Sequence, residues 1–339
     1  MVELQKIGKD GDVLYNFYDA ENSIYVRREK EKNAIKRISR MAGLCVISYV
    51  LIQNILALLV YLSPIGELYE SDPGMQSVVS IFLSVLGILV PFAVGGYFLT
   101  KGTNETAVEF RKPVSIPLAA SATALGFFVC LIGNYATSVF VDFMDSAGIT
   151  LSAPDYTPPM DAGGRIIYAV SIAVIPALVE EFAVRGVILQ SLRKYGDRFA
   201  ILASALIFAV MHGNLIQAPF ALIAGIGIGY AVCITNSIWT GIFIHFCNNF
   251  YSVVVEYLVA DITDDDKLNM IYLIITVALY AVSIIGSVAF VILKRDRKIM
   301  PSFTALSEGN KMKFFVLTVP MIIALIMMIK ITSNFIAAN

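Results

Sequence analysis

Histidine, tryptophan and cysteine are scarce in this chain: 339 residues hold two histidines, one tryptophan and four cysteines. Cys45, Cys130, Cys233 and Cys247 all fall inside apolar runs, and no two of them have metal-ligand spacing. They read as small hydrophobes, which excludes a disulfide framework and a cysteine metal site. Charge is also sparse, at 15% of positions against roughly 25% in soluble domains. A net charge of -1, with basic residues confined to short segments, gives no surface for nucleic acid. The first forty residues lack the apolar core of a secretory leader, so none is expected. No soluble catalytic domain, repeat or low-complexity tract is visible.

What the chain has in excess is apolar sequence, at 58% of positions. A spanning helix needs about 20 mainly apolar residues, and that criterion predicts spans near 41–63, 75–100, 114–141, 165–190, 236–260, 268–293 and 313–335. Between Phe199 and Ile234 the apolar text is broken by His212-Gly213-Asn214 and Pro219, which predicts two shorter helices, 199–212 and 217–234. The fold class is therefore all-α, a polytopic bundle of eight to nine transmembrane helices around a polar intramembrane cavity. Residues 1–40 form a basic N-terminal segment and 41–339 the transmembrane domain, with a motif-bearing core at 165–255.

With the N-terminus in the cytoplasm, 21 of the 25 Lys and Arg fall in the inside segments 1–40, 101–112, 193–198 and 294–313. Arg165, Lys267 and Lys330 fall outside, whereas the outer loops carry Asp145, Asp155, Asp161 and Asp264-Asp265-Asp266. Residues 24–40 mix apolar and basic side chains. They suit either an amphipathic helix on an anionic inner leaflet or a solvated tail.

Charges inside spans cost about 3 kcal/mol each and mark function by default. The fourth span carries Glu180, Glu181 and Arg185, while His212 and His245 each sit in an apolar helix. At about 1.5 Å rise per residue, Glu180 and His212 lie about 20 Å in from the cytoplasmic flank, and His245 and Asn249 about 12 and 18 Å in. Four polar groups from three helices thus share one level. Glu181 and Arg185 stand at i,i+4 in the order that favours a same-face ion pair, and Glu180 is turned about 100° away from them. His245 and Asn249, also i,i+4, project from one face.

Glu180-Glu181-x-x-x-Arg185, Phe208-x-x-x-His212 and His245-x-x-x-Asn249 resemble the three motifs of the CPBP family, which groups CAAX prenyl proteases with bacteriocin-processing and abortive-infection proteins. The resemblance implies an intramembrane endopeptidase of a bacterial plasma membrane. In it Glu180 with His212 activates water, and His245 with Asn249 stabilises the oxyanion. It also implies a cavity opening towards the cytoplasm, and a membrane-associated or lipid-anchored peptide or protein as substrate. The chemistry agrees: a carboxylate in an apolar pocket can serve as general base and then protonate the leaving amine.

Other readings remain. Glu180, His212 and His245 could ligate a catalytic zinc, although no His-Glu-x-x-His helix is present; otherwise no cofactor is expected. A non-proteolytic scaffold or immunity protein could use the same cavity, and a transporter would need paired broken helices in two matching halves. Phe208 reads as packing beneath the site, and Gly225-Ile-Gly227-Ile-Gly229 as close helix contact rather than a nucleotide loop. Asn248 competes with Asn249, and Glu256 reads as paired or solvated.

Overall fold

The computed structural model describes residues 12–154, 157–260 and 262–338, with side chains from Ser23 to Ala337 of these. Residues 1–11, Asp155 and Asp261 lie outside the described residues, together with the parts of the N-terminal and acidic-loop expectations that fall on them. The described chain is a helical bundle. α1 runs Asp12–Leu62, α2 Ile65–Ser71, α3 Pro73–Thr100, α4 Ile116–Ser146, α5 Ala162–Arg193, α6 Asp197–Met211, α7 Ala218–Thr235, α8 Ile238–Val259 and α9 Asp265–Lys294. α10, Glu308–Val316, and α11, Val319–Ser333, close the chain. Two short strands, β1 (Ile149–Leu151) and β2 (Ile336–Ala338), pair antiparallel at one end.

Seven of these helices are long and apolar enough to cross a membrane, eight if the bent pair α10–α11 is one span. Side chains such as Leu58, Leu59, Ile285 and Ile292 are exposed, an apolar surface that only lipid or a partner can cover. Helix starts follow their capping residues: Asp72 accepts from Gly74 N at 2.8 Å, Asp161 from Gly164 N at 2.8 Å and Asp264 from Lys267 N at 3.1 Å. Wide π turns occupy Val85–Leu89 in α3 and Val170–Val174 in α5. Each precedes a proline, Pro91 or Pro176, whose ring would collide with the carbonyl four residues back in a regular helix.

Two expectations need correction. The apolar run 313–335 is not one straight span: α10 and α11 meet at 73° across Leu317 and Thr318, where Pro320 opens the second helix. Residues 24–40 are continuous with the first span and do not form a separate surface helix. Ile35 and Ile38 are buried, and this part of α1 packs on α10 and α11. Glu31 accepts from the backbone N–H of Ala305 at 2.9 Å and Leu306 at 3.2 Å. Lys32 and Lys36 lie over the Phe314 ring, and Ser39 bonds Thr318 Oγ1 at 2.7 Å.

The centre of the bundle is α5 to α8. α4 packs on α7, α8 and α9, while α3 packs on α1 and α5. The glycine run of α7 permits close approach: a Cβ on Gly225 would stand 3.0 Å from Ala205 Cβ, and one on Gly227 2.7 Å from Val129.

Glu31 ties the N-terminal helix to the segment that leads into α10 through two backbone donors. Glu31→Ala should therefore leave both unpaired and cost about 1–3 kcal/mol, read as a lowered thermal midpoint in detergent. An unchanged midpoint would show that the contact contributes nothing to stability.

Candidate active site

Adjacent glutamates of α5 face different environments. Glu181 is fully buried and its Oε1 accepts from Arg185 Nη1 at 2.5 Å. The Glu180 side chain keeps 21% of its surface and lines a cavity. The 100° step between consecutive helical positions produces this split. The expected Glu181–Arg185 pair is present, with a further partner: His245 Nδ1 meets the same Oε1 at 3.1 Å. Its other ring nitrogen, Nε2, stands 4.0 Å from Glu180 Oε2. One imidazole therefore bridges the two carboxylates.

Arg185 is held from three sides. Its Nη2 donates to Gly225 O at 3.1 Å, and its guanidinium carbon lies 4.6 Å from the Phe208 ring centroid. The same ring stands edge-on to His212 and His245, at 4.9 and 5.7 Å. Phe208 is thus the apolar floor on which three polar groups rest. Gly241 of α8 completes the enclosure, since a Cβ there would lie 2.8 Å from Glu181 Oε2.

His212 follows the last residue of α6, and the chain reverses at Gly213 with φ +65°, a conformation glycine adopts without strain. Its Nδ1 lies 2.8 Å from Phe208 O. A carbonyl can only accept, so Nδ1 carries the proton and Nε2 of the neutral ring keeps its lone pair. Asn249 Nδ2 donates to Ile172 O at 2.9 Å, and Asn249 Oδ1 accepts from Asn248 Nδ2 at 3.2 Å. The amide of Asn249 thereby has a fixed sense, with a second N–H left over.

Glu180, Phe208, His212, His245, Asn248 and Asn249 all line one cavity of about 640 Å³. A second space of about 370 Å³ meets it at Glu180, Phe208 and His212. Among the described residues no group of three His, Cys, Asp or Glu is arranged to hold a metal ion. Sequence reading missed the bond from His245 to Glu181 and the role of Asn248 in orienting Asn249. The first depends on how helices meet; the second lies within one helix, where the Asn248-Asn249 doublet was a visible signal. Glu256 is paired, accepting from Tyr168 at 2.9 Å.

The cavity differs from expectation in one respect. Its wall runs through Asn134, Ser138 and Asp142 of α4, Ser171 and Ile172 of α5, and Ser252 of α8. These lie between the site and the helix ends at Ser146, Ala162 and Val259. The basic flanks at Arg111, Arg193 and Lys294 are at the opposite ends of the same helices or their neighbours. The cavity therefore extends away from the basic end, whereas the resemblance implied an opening towards it.

Residues 162–251 match the family described as Rce1-like, type II CAAX prenyl endopeptidase. This segment is similar to the CAAX-protease domain. The matched segment contains every residue of the three motifs, from Glu180 to Asn249, and begins with α5. That similarity supports, in general terms, an intramembrane endopeptidase acting on a peptide substrate. No curated protein and no solved structure matches the chain.

Removing one member of the buried cluster strands the others. Arg185→Met should lower stability by about 3–5 kcal/mol, because the buried Glu181 loses its guanidinium and keeps His245 as its one remaining hydrogen-bond partner. Yield and thermal midpoint in detergent should fall further than for Glu180→Gln, whose side chain faces the cavity. Normal folding of Arg185→Met would mean that the pair is dispensable for structure.

Proposed function

We propose that the protein hydrolyses a peptide bond within the membrane with water activated by Glu180 and His212, while His245 and Asn249 hold the oxyanion. The observation that carries this reading is the division of labour between neighbours: Glu181 is consumed by Arg185 and His245, and Glu180 is left facing the cavity beside two imidazoles. A base must reach both water and substrate, and Glu180 has that position.

In the proposed step the water oxygen attacks the scissile carbonyl carbon while its proton passes to Glu180. His212, with Nε2 unprotonated, accepts a hydrogen bond from the same water and orients it. The carbonyl oxygen becomes an oxyanion that meets Nε2–H of His245 and the second N–H of Asn249. Collapse breaks the C–N bond, and Glu180 returns its proton to the leaving amine.

His245 can donate from Nε2 only with both nitrogens protonated, because Nδ1–H already faces Glu181. The cluster then holds two carboxylates against one guanidinium and one imidazolium, a neutral set suited to a site inside a membrane. Asn248 acts as a positioning residue, turning the Asn249 amide so that its nitrogen faces Ile172 O and the cavity.

No metal enters the proposed step. The basic bias favours a cytoplasmic N-terminus. Both belong to the proposal.

The reading is tested on purified protein in detergent with a fluorogenic peptide and matched binding measurements. Glu180→Gln and His212→Ala should abolish turnover, and Asn249→Ala should slow it by about 10²–10³ while substrate still binds. Chelator should leave the rate unchanged. Cleavage that stops on metal removal and returns with zinc would overturn the mechanism. Turnover in Glu180→Gln would overturn the assignment of the base.

A further inference from the structure

We propose that the site is served from the extracytoplasmic side of the bilayer, so that its substrate is an unwound peptide segment presented there rather than from the cytoplasm. The word substrate rests on the endopeptidase reading above; the side of access rests on geometry and on the charge bias.

The wall of the cavity on α4 is formed by Cys130, Asn134, Ser138 and Asp142. Their spacing of four puts them on one helix face, spanning about 18 Å along the axis. The stripe ends one turn before α4 itself ends at Ser146. Asn134, Ser138 and Asp142 are exposed. Amide, hydroxyl and carboxylate groups at membrane depth are costly against lipid, so such a stripe marks a water-filled groove. Ser171 of α5 and Ser252 of α8 continue the polar lining at the same end.

Towards the basic end the bundle is closed. Ile188, Leu189, Ile201 and Val232 are buried between the site and the flanks at Arg193 and Arg198, a packed apolar plug. The cavity beyond that plug, lined by Arg111, Arg193 and Asn236, contains none of the site residues. Since the basic flanks favour the cytoplasm, the polar groove leads the other way.

Two features indicate what the groove accepts. Thr137 and Asn248 belong to its wall and are 9% and 7% exposed, yet Thr137 Oγ1 and Asn248 Oδ1 have no hydrogen-bond partner. Buried polar atoms without partners are costly, and an extended backbone offers N–H and C=O groups at the required spacing. The wall also carries two carboxylates, Asp142 at the outer end and Glu180 at the site, and no Lys or Arg. It therefore suits a neutral or cationic peptide over an acidic one.

Accessibility is read on the full-length protein in intact cells with a membrane-impermeant, charged thiol reagent. Single substitutions Asp142→Cys at the rim, Asn134→Cys about 12 Å deeper and Arg111→Cys at the basic end are compared before and after permeabilisation. Asp142→Cys and Asn134→Cys are expected to react from outside, and Arg111→Cys only after permeabilisation. Should Asn134→Cys fail to express, Ser138→Cys takes its place. Reaction of Asn134→Cys only after permeabilisation overturns the proposal, as does its failure to react from either side, since the groove would then hold no water. Labelling reports access whether or not any peptide is cut, so this result and the fate of the proteolytic reading are separable.

Discussion

The Glu181 carboxylate is the point on which the site depends. It is fully buried, and one of its oxygens takes both Arg185 and His245. Arg185 reaches on to Gly225 O and lies against Phe208, so a single ion pair on α5 is tied to α6, α7 and α8. Burying charge is expensive unless every member is matched. That expense makes the cluster demanding of geometry: a helix that slid or turned would separate charges in a medium that cannot solvate them. Gly241 is part of the same constraint, because any side chain there would press on Glu181 Oε2.

The consequence reaches the neighbouring residue. Once Glu181 points into the core, the helical step forces Glu180 to another face, and that face borders the cavity. His245 cannot rotate freely either, since its Nδ1 is committed to Glu181, and Nε2 is thereby directed towards Glu180. His212 is fixed differently. Its ring bonds the carbonyl one turn earlier and stacks edge-on to Phe208, while Gly213 ends the helix and leaves room beside it.

Local periodicity was legible in the sequence, and so were groups related by four residues on one helix. The Glu181–Arg185 pair and the broken helices around His212-Gly213-Asn214 both follow from spacing within a few turns. The structure has α6 and α7 at Asp197–Met211 and Ala218–Thr235, close to where the interruptions pointed. What spacing could not reveal is which helix stands opposite. The bond from His245 to Glu181 joins residues 64 positions apart, and the anchoring of Glu31 on residues 305 and 306 spans 274 and 275. Residues 24–40 suited a surface helix or a solvated tail because partners such as Ala305, Leu306 and Phe314 lie at the other end of the chain. The bend between α10 and α11 was hidden because Leu317 and Val319 keep the run apolar through the break; only Pro320 marked it.

Hydrolysis inside a membrane sets two opposing requirements: water must reach one carboxylate, and the rest of the charged cluster must stay dry. In the proposed groove, polar groups spaced four apart on α4 would supply a wet face down to the level of Cys130. On the other side of Phe208 the side chains of Ile188, Leu189, Ile201 and Val232 exclude solvent from the flank that carries Arg193. The short helix α6 permits this asymmetry, since its last turn stops at Met211 while α4 runs on to Ser146 and α5 starts as far back as Ala162. The space that a full-length helix would fill borders the cavity at Glu180 and His212, and in the proposal it is part of the route to Glu180. On the proposed reading, a histidine at a helix end instead of mid-span lets one bundle be wet on one side of the site and sealed on the other.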